Sequence, residues 1–277
     1  MTTPDHLRTW LTIRAATPWH RAPEIVLPPP AALTSGASCP LPAVPPPSAP
    51  AIPPPAIPGP ALPLPSAPAR PLPTNPTRDG AAHDIRTHDH ARDPQRAERL
   101  LDALAVARAD AAAGTPLSFA LLATWQRLVL GVPEVSFRTT PAYAKHGREL
   151  YGVTPDLRTR FDACLAEAAD PALPLTARAA RAYLDVCFFH PFDDGNARAA
   201  FLTLVHVLAR AGVSLAQVAP VRRLARRADD PEVPLELAEL LAVLIRSTAR
   251  RTAPAPDGPA ARPWPASSAP PPPRGTA

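Results

Sequence analysis

Residues 176–212 read TARAARAYLDVCFFHPFDDGNARAAFLTLVHVLARAG, and this stretch decides the fold. Its first half places Ala180, Tyr183, Leu184, Cys187 and Phe188 at helical spacing, with Thr176 as the expected N-cap. Its second half runs from Asn196 to Ala211 with Ala200, Leu204, Val207 and Leu208 on one face and Gly212 as the stop. These are the two most apolar helices of the chain, and a short loop, His190 to Arg198, lies between them.

The same periodicity extends outward. From Pro94, PQRAERLLDALAVARADAAAG carries Ala97, Leu101, Leu104 and Arg108 at helical spacing and ends at Gly114. LSFALLATWQRLVLG sets Leu121, Leu122, Trp125, Leu128 and Val129 on one face and closes at Gly131. Residues 132–153 break the pattern with Pro, Gly and Thr, which predicts an exposed loop or short hairpin. Thr154-Pro155 reads as an N-cap with Pro at the first helical position, followed by a stripe of Phe161, Cys164, Leu165 and Ala168. A last helix is expected from Pro231 to Arg251, with Leu237, Leu240, Leu241, Leu244 and Ile245 apolar. Residues 5–14 predict one more short helix, with Leu7, Trp10, Leu11 and Arg14 on one face. The expected fold class is all-α, a helical bundle interrupted by a short β-hairpin.

Composition divides the chain. Pro supplies 43 of the 277 residues, a load that no evenly folded domain can carry, because Pro lacks the N–H that helices and central strands need. Most of it falls in residues 28–76 and again in 252–277; both segments are expected to be polyproline-like or disordered. The expected organisation is a short N-terminal segment (1–27), a Pro-rich linker (28–76), a helical domain (77–251) and a Pro-rich tail (252–277). The formal net charge of +5 comes without any long basic block, so no nucleic-acid partner is expected. Three Cys are too few and too scattered for a disulfide framework or a zinc site. No apolar run reaches the ~20 residues that span a bilayer, and the N-terminus is too charged for a signal peptide. The expectation is a cytoplasmic protein without a membrane partner. His83, Asp84, His88, Asp89 and His90 are expected to form a polar, solvated lead-in to the first long helix rather than a metal site. The basic turn from Val221 to Arg227 is expected to be a solvated face.

Chemistry concentrates in the loop His190-Pro191-Phe192-Asp193-Asp194-Gly195-Asn196-Ala197-Arg198. A helix starting near Asn196 presents unpaired N–H groups of Gly195, Asn196 and Ala197, and its dipole adds to an anion site there. Gly195 lets backbone approach a phosphate closely. Arg198 puts a cation in the first turn, where the dipole prefers an anion; a bound phosphate resolves that conflict. Asp194 is placed to hold a Mg²⁺ that bridges phosphates. His190 is the natural general base near neutral pH. Phe192 reads as the plug that buries the loop in the bundle.

This loop resembles the signature of the Fic (Fido) family, His-Pro-Phe-x-Asp/Glu-Gly-Asn-Gly-Arg-x-x-Arg. Phe137-Arg138-Thr139 and the segment up to Tyr151 look like the family's flap at the expected distance upstream, and the helices from Pro94 to Arg251 fit its bundle. The resemblance implies transfer of AMP from ATP to a Tyr, Thr or Ser hydroxyl of a target protein. It implies His190 as the base, Asp194 on Mg²⁺, the Asn196 side chain on the α-phosphate and Arg198 on the β-phosphate. It implies further that the flap, with Arg138, Thr139 and Thr140, pairs with the target's backbone as an added strand.

Two positions depart from the signature. Its second Gly is Ala197, and its final Arg is Phe201. Ala at a helix start still donates its N–H. Phe201 cannot contact phosphate, and the loss of such a charge-assisted contact corresponds to ~1.5–3 kcal/mol. The Doc branch also lacks the full pattern and phosphorylates instead, so a Doc-like kinase or toxin is the alternative, and a catalytically degenerate copy is the third reading. No Glu completes the family's inhibitory motif, Ser/Thr-x-x-x-Glu-Gly/Asn, so any inhibition is expected from a separate partner protein.

Overall fold

The computed structural model describes residues 4–26, 78–223 and 226–252. The expectations for the Pro-rich stretches 28–76 and 253–277 lie outside the described residues. The described chain is a helical bundle with one two-stranded antiparallel hairpin, as the periodicity predicts.

At the centre is α6 (Leu175–Phe189), buried on nearly every side. Ala177, Ala179, Ala180 and Ala182 are each at most 1% exposed, and such small side chains let neighbouring helices approach closely. Against α6 pack α7 (Asn196–Arg210) and α9 (Val233–Thr252). A second layer, α3 (Pro94–Ala112) with α4 (Phe119–Leu130), rests on α7. α3 begins under an Asp93 cap with Pro94 at its first position, and α4 ends at Gly131, left-handed at φ 69°. Before α3 come α2 (Gly80–Asp84) and a π-helical turn, Ile85–Asp89. β1 (Ala142–Ala144) and β2 (Glu149–Tyr151) form the hairpin, with Tyr143 opposite Leu150. α5 (Leu157–Ala166) closes one end, and the short α8 (Ala219–Arg223) precedes α9.

Three helix starts differ from expectation: α9 begins at Val233 rather than Pro231, and two others have a cause in side-chain bonding. α5 begins at Leu157, because the Thr154 hydroxyl donates to Asp156 (2.6 Å) and the Thr154 carbonyl receives the Leu157 N–H (3.1 Å), making a turn ahead of the helix. Thr176 does not cap α6. It is fully buried, and its hydroxyl donates to the Pro23 carbonyl, which ties down the N-terminal segment.

That segment is part of the bundle. α1 (His6–Ala16) is capped by Asp5, whose carboxylate also receives the Gly152 N–H at the end of β2 (3.0 Å). Trp10 is 1% exposed, and its indole N–H donates to Asp185 in the middle of α6 (3.0 Å). Arg14 grips the same carboxylate through Nε and Nη2, at 2.8 and 3.1 Å, and also pairs with Glu167 (3.0 Å). α1 therefore fastens the hairpin to the central helix. No helix among the described residues is long and apolar enough to cross a membrane.

Candidate active site

His190 is the residue at which α6 stops. Its φ of 48° puts a side chain other than glycine in the left-handed region, a conformation that costs on the order of 1–2 kcal/mol and must be held by its surroundings. The imidazole Nδ1 lies 2.8 Å from the Cys187 carbonyl. A carbonyl only accepts, so Nδ1 carries the hydrogen and Nε2 keeps the lone pair. Burial pushes the His190 pKa below the ordinary histidine value, and the nearby Arg138 cation adds to that shift. The neutral, basic form is favoured.

The turn that follows is braced from three sides. Phe192 is 1% exposed and packs against Phe119 (5.2 Å between ring centres), as the plug reading expects. The Asn196 side chain, which the resemblance places on an α-phosphate, is bonded to its own loop, with one Nδ2 hydrogen left over. Its Oδ1 accepts from the Phe192 N–H (2.9 Å) and its Nδ2 donates to the Phe192 carbonyl (2.7 Å), so both of its polar ends lock the loop. Gln126, fully buried on α4, donates to the Asp194 carbonyl (2.6 Å). Gly195 sits at φ 79°, and a Cβ there would collide with the Gln126 amide. Here glycine is required twice, by conformation and by space.

The anion-site donors are partly used. The Gly195 N–H is taken by its neighbour Asp194 Oδ1 (2.6 Å). The Asn196 and Ala197 N–H groups stand in the first turn, outside the intrahelical ladder. Arg198 is only 15% exposed in its side chain, yet its ion pair is a long one, 3.4 Å to Asp194 Oδ2. Its buried Nε has no hydrogen-bond partner. Burial and the neighbouring Arg96 both push the Arg198 pKa down, the signature of a cation short of counter-charge.

Arg138, expected in a target-binding flap, turns its side chain inward. It is 3% exposed and does not present its side chain to a target. Its guanidinium donates to the carbonyls of Phe189 (3.0 Å), His190 (2.7 Å), Thr140 (2.8 Å) and Gly152 (2.7 Å). Its own N–H donates to the Pro191 carbonyl (3.0 Å). One side chain thus satisfies the terminal carbonyls of α6 and joins them to both ends of the hairpin. Thr139 and Thr140 remain exposed, and Thr140 lines the cleft described next.

His190, Asp194, Gly195, Asn196, Ala197 and Arg198 all border one open cleft of about 890 Å³. Its other walls include Asp89, Arg96, Tyr143, Tyr183 and Arg222. The acidic lead-in and the basic turn, expected to be solvated, meet here. Arg222 donates to Asp84 (2.6 Å) and Asp89 (2.7 Å), and Arg223 pairs with Asp84 (2.6 Å), which is 5% exposed. The Arg222 guanidinium also lies 4.5 Å from the centre of the Phe201 ring. The position that lacks the signature's Arg is therefore covered by a cation from another helix. Among the described residues no group of three or more His, Cys, Asp and Glu side chains could hold a metal ion.

The loop was legible in the sequence, but Gln126, Arg222 and Tyr151 were not. Gln126 had one available signal, a polar residue inside the apolar stripe between Leu122 and Val129. Arg222 had none, since its partners are more than 130 residues away in sequence.

No protein-family model matches the chain, and no curated protein matches it. Among solved structures, it is similar to a Fic domain containing signaling protein from Bacteroides thetaiotaomicron, with 17% identity over 56% of this chain and 69% of that one and a TM-score of 0.45. It is also similar to IbpA Fic2, solved in complex with adenylylated Cdc42, with 14% identity over 62% of this chain and 66% of that one and a TM-score of 0.46. Both neighbours are Fic domain proteins.

Proposed function

We propose that the cleft is the active site of a Fic-type transferase that moves AMP from ATP to a Tyr, Thr or Ser hydroxyl of a target protein. The observation that carries this reading is His190, held neutral with its Nε2 lone pair free, beside a helix N-terminus and an under-compensated Arg198. The signature-like loop supplies those groups in the order the reaction needs.

In this reading the target hydroxyl oxygen bonds to the α-phosphorus as its proton passes to His190 Nε2. The bond from that phosphorus to the bridging oxygen breaks, and pyrophosphate leaves. A positioned base of this kind contributes ~10²–10⁴-fold. Arg198 and the first-turn N–H groups of α7 hold the phosphates, both bordering the cleft. Asn196 and Gln126 act indirectly by keeping the turn in shape.

The donor set fits a Mg²⁺ that arrives with the nucleotide. Asp194 is 60% exposed in its side chain, and its Oδ2 has only long contacts, 3.4 Å to Arg198 and 3.6 Å to Arg96. A single hard carboxylate oxygen suits an ion that keeps most of its waters and takes its remaining ligands from phosphate. When bound, the ion would neutralise phosphate charge; Asp194 is the residue that would hold it. The outer edge of β1 has no strand beside it among the described residues, and a target backbone would pair there. The proposed place of action is the cytoplasm.

The test uses the full chain and its His190→Ala variant with Mg²⁺, cell lysate, and ATP labelled at the α- or the γ-phosphate. Protein label from α-labelled ATP alone, lost in the variant, is the expected result. Label from γ-labelled ATP alone would replace AMP transfer with a Doc-like kinase reaction. Equal labelling by His190→Ala and the unaltered protein would refute the assignment of the base.

A further inference from the structure

Tyr151, the last residue of β2, is 3% exposed and lies against the imidazole of His190. The ring centres are 4.1 Å apart and the planes are tilted by only 19°, a stacked pair. The Tyr151 hydroxyl donates to Glu149 Oε2 (2.8 Å), whose other oxygen accepts from Lys145 (2.6 Å). Ala142 lies opposite Tyr151 in the hairpin. Just beyond, Gly152 is held at both ends: its N–H donates to Asp5 and its carbonyl accepts from Arg138. The Tyr151 ring is therefore fixed on its own strand before it touches histidine.

His190 needs such a neighbour. One hydrogen bond, from Nδ1 to the Cys187 carbonyl, fixes a point on the ring but leaves the ring plane to be set by packing. We propose that Tyr151 is the positioning residue of His190: its ring face sets the plane of the imidazole, and through it the hairpin governs how Nε2 meets a hydroxyl. The inference rests on His190 being the base. Tyr151 itself takes no proton in the reaction, because its hydroxyl is held by Glu149. Burial, reinforced by that carboxylate, keeps the phenol's pKa above its ordinary value.

The stack also excludes water from the imidazole, and burial is the main cause of the lowered His190 pKa. Of the charged groups around it, Arg138 opposes protonation from the extended segment and Glu149 favours it from the hairpin. The Cys187 carbonyl favours it from His190's own helix. Asp193 acts on Arg138, and His6 of α1 lies 5.8 Å from the Tyr151 ring centre. Removing the Tyr151 ring changes none of these charges; it changes only the cover.

The test compares Tyr151→Phe, Tyr151→Leu and His190→Ala in the full chain. ATP affinity, kcat, the pH–rate profile and the NMR titration of His190 are measured for each. Tyr151→Phe keeps a ring face and is expected to retain most of kcat. Tyr151→Leu is expected to lower kcat by about tenfold or more, since small misplacements of a reacting group cost up to ~10²-fold, while leaving the Kd for ATP unchanged. It is also expected to move the acid limb and the His190 titration to higher pH. If Tyr151→Leu does not fold by circular dichroism, Tyr151→Met fills the space without a ring face and carries the same expectation. Unchanged kcat and an unmoved titration in the ring-less variant would overturn the proposal. So would equal losses in Tyr151→Phe and Tyr151→Leu, which would place the role in the hydroxyl. Should His190→Ala keep full transfer activity, the proposed function fails instead, and the NMR titration still decides whether the stack sets the imidazole's environment.

Discussion

Replacing Arg14 by Met should unsettle the bundle from its middle. Asp185 is fully buried in α6, and three donors reach it: Arg14 Nε at 2.8 Å, Arg14 Nη2 at 3.1 Å and the Trp10 indole at 3.0 Å. Met keeps the packing of the Arg stem but leaves a buried carboxyl with one donor. Removing one partner of a buried pair costs about 3–5 kcal/mol, because the remaining charge is uncompensated. For a domain of this size, about 2–4 °C of Tm accompanies each kcal/mol, so the loss corresponds to roughly 6–20 °C. The Arg14→Met/Asp185→Leu double variant should recover most of it, since an apolar pair in place of a buried ion pair is often neutral or better. Burial already pushes the Asp185 carboxyl up, against the pull of Arg14 and Trp10. In the Arg14→Met variant only the indole and the Arg181 cation still oppose that push. A carboxyl whose folded pKa is raised binds more protons in the folded state, so the penalty is full above that pKa and fades as pH falls toward the unfolded value of ~3.9. Urea unfolding of the four proteins of this cycle, at pH 7 and pH 5, measures all of this. A single-variant loss below about 1 kcal/mol, or a double variant equal to the sum of the singles, would refute the reasoning.

Four further outcomes follow. Gly195→Ala should abolish transfer while the bundle stays folded, because φ 79° and the Gln126 amide both exclude a Cβ; circular dichroism with an activity assay separates the two effects. The acid limb of kcat should lie below the ordinary histidine value of ~6.5, since burial lowers the His190 pKa. In urea titrations at several pH values, stability should fall as pH drops below ~6.5, because the unfolded chain then binds more protons at His190 and His206, both lowered by burial. Phe201→Arg, which restores the family's signature, should lower stability by about 3 kcal/mol or more without raising activity: the position is 1% exposed and lies directly under the Arg222 guanidinium. Urea unfolding and transfer rate read the two arms, and a more active, equally stable variant would contradict the packing argument.

What could be read without coordinates was whatever repeats along the chain. The α6–loop–α7 unit was legible because apolar residues recur every three to four positions and the turn residues sit at its ends. The same local logic misplaced Thr176, whose hydroxyl answers to Pro23 across the fold rather than to its own helix. Arg138 misled for a related reason. In a stretch of Thr and Pro it reads as exposed, and only the convergence of α6 with both ends of the hairpin explains its burial. Asp84 and Asp89 look solvated until α8 delivers Arg222 and Arg223 to them. Side chains satisfied by distant partners leave no local periodicity, and those were the ones the sequence concealed.

The anchoring of α1 recasts the Pro-rich stretch that follows it. Residues 4–26 belong to one packed body with residues 78–223, fastened by Trp10, Arg14 and Thr176. Residues 27–77 therefore connect two parts of the same body along the sequence. In topological terms they stand within a domain, not between a domain and its terminus. A break in the backbone there would turn one polypeptide into a two-piece assembly held by non-covalent contacts. Any partner that grasped that stretch would be pulling on the helix that fastens the hairpin beside His190.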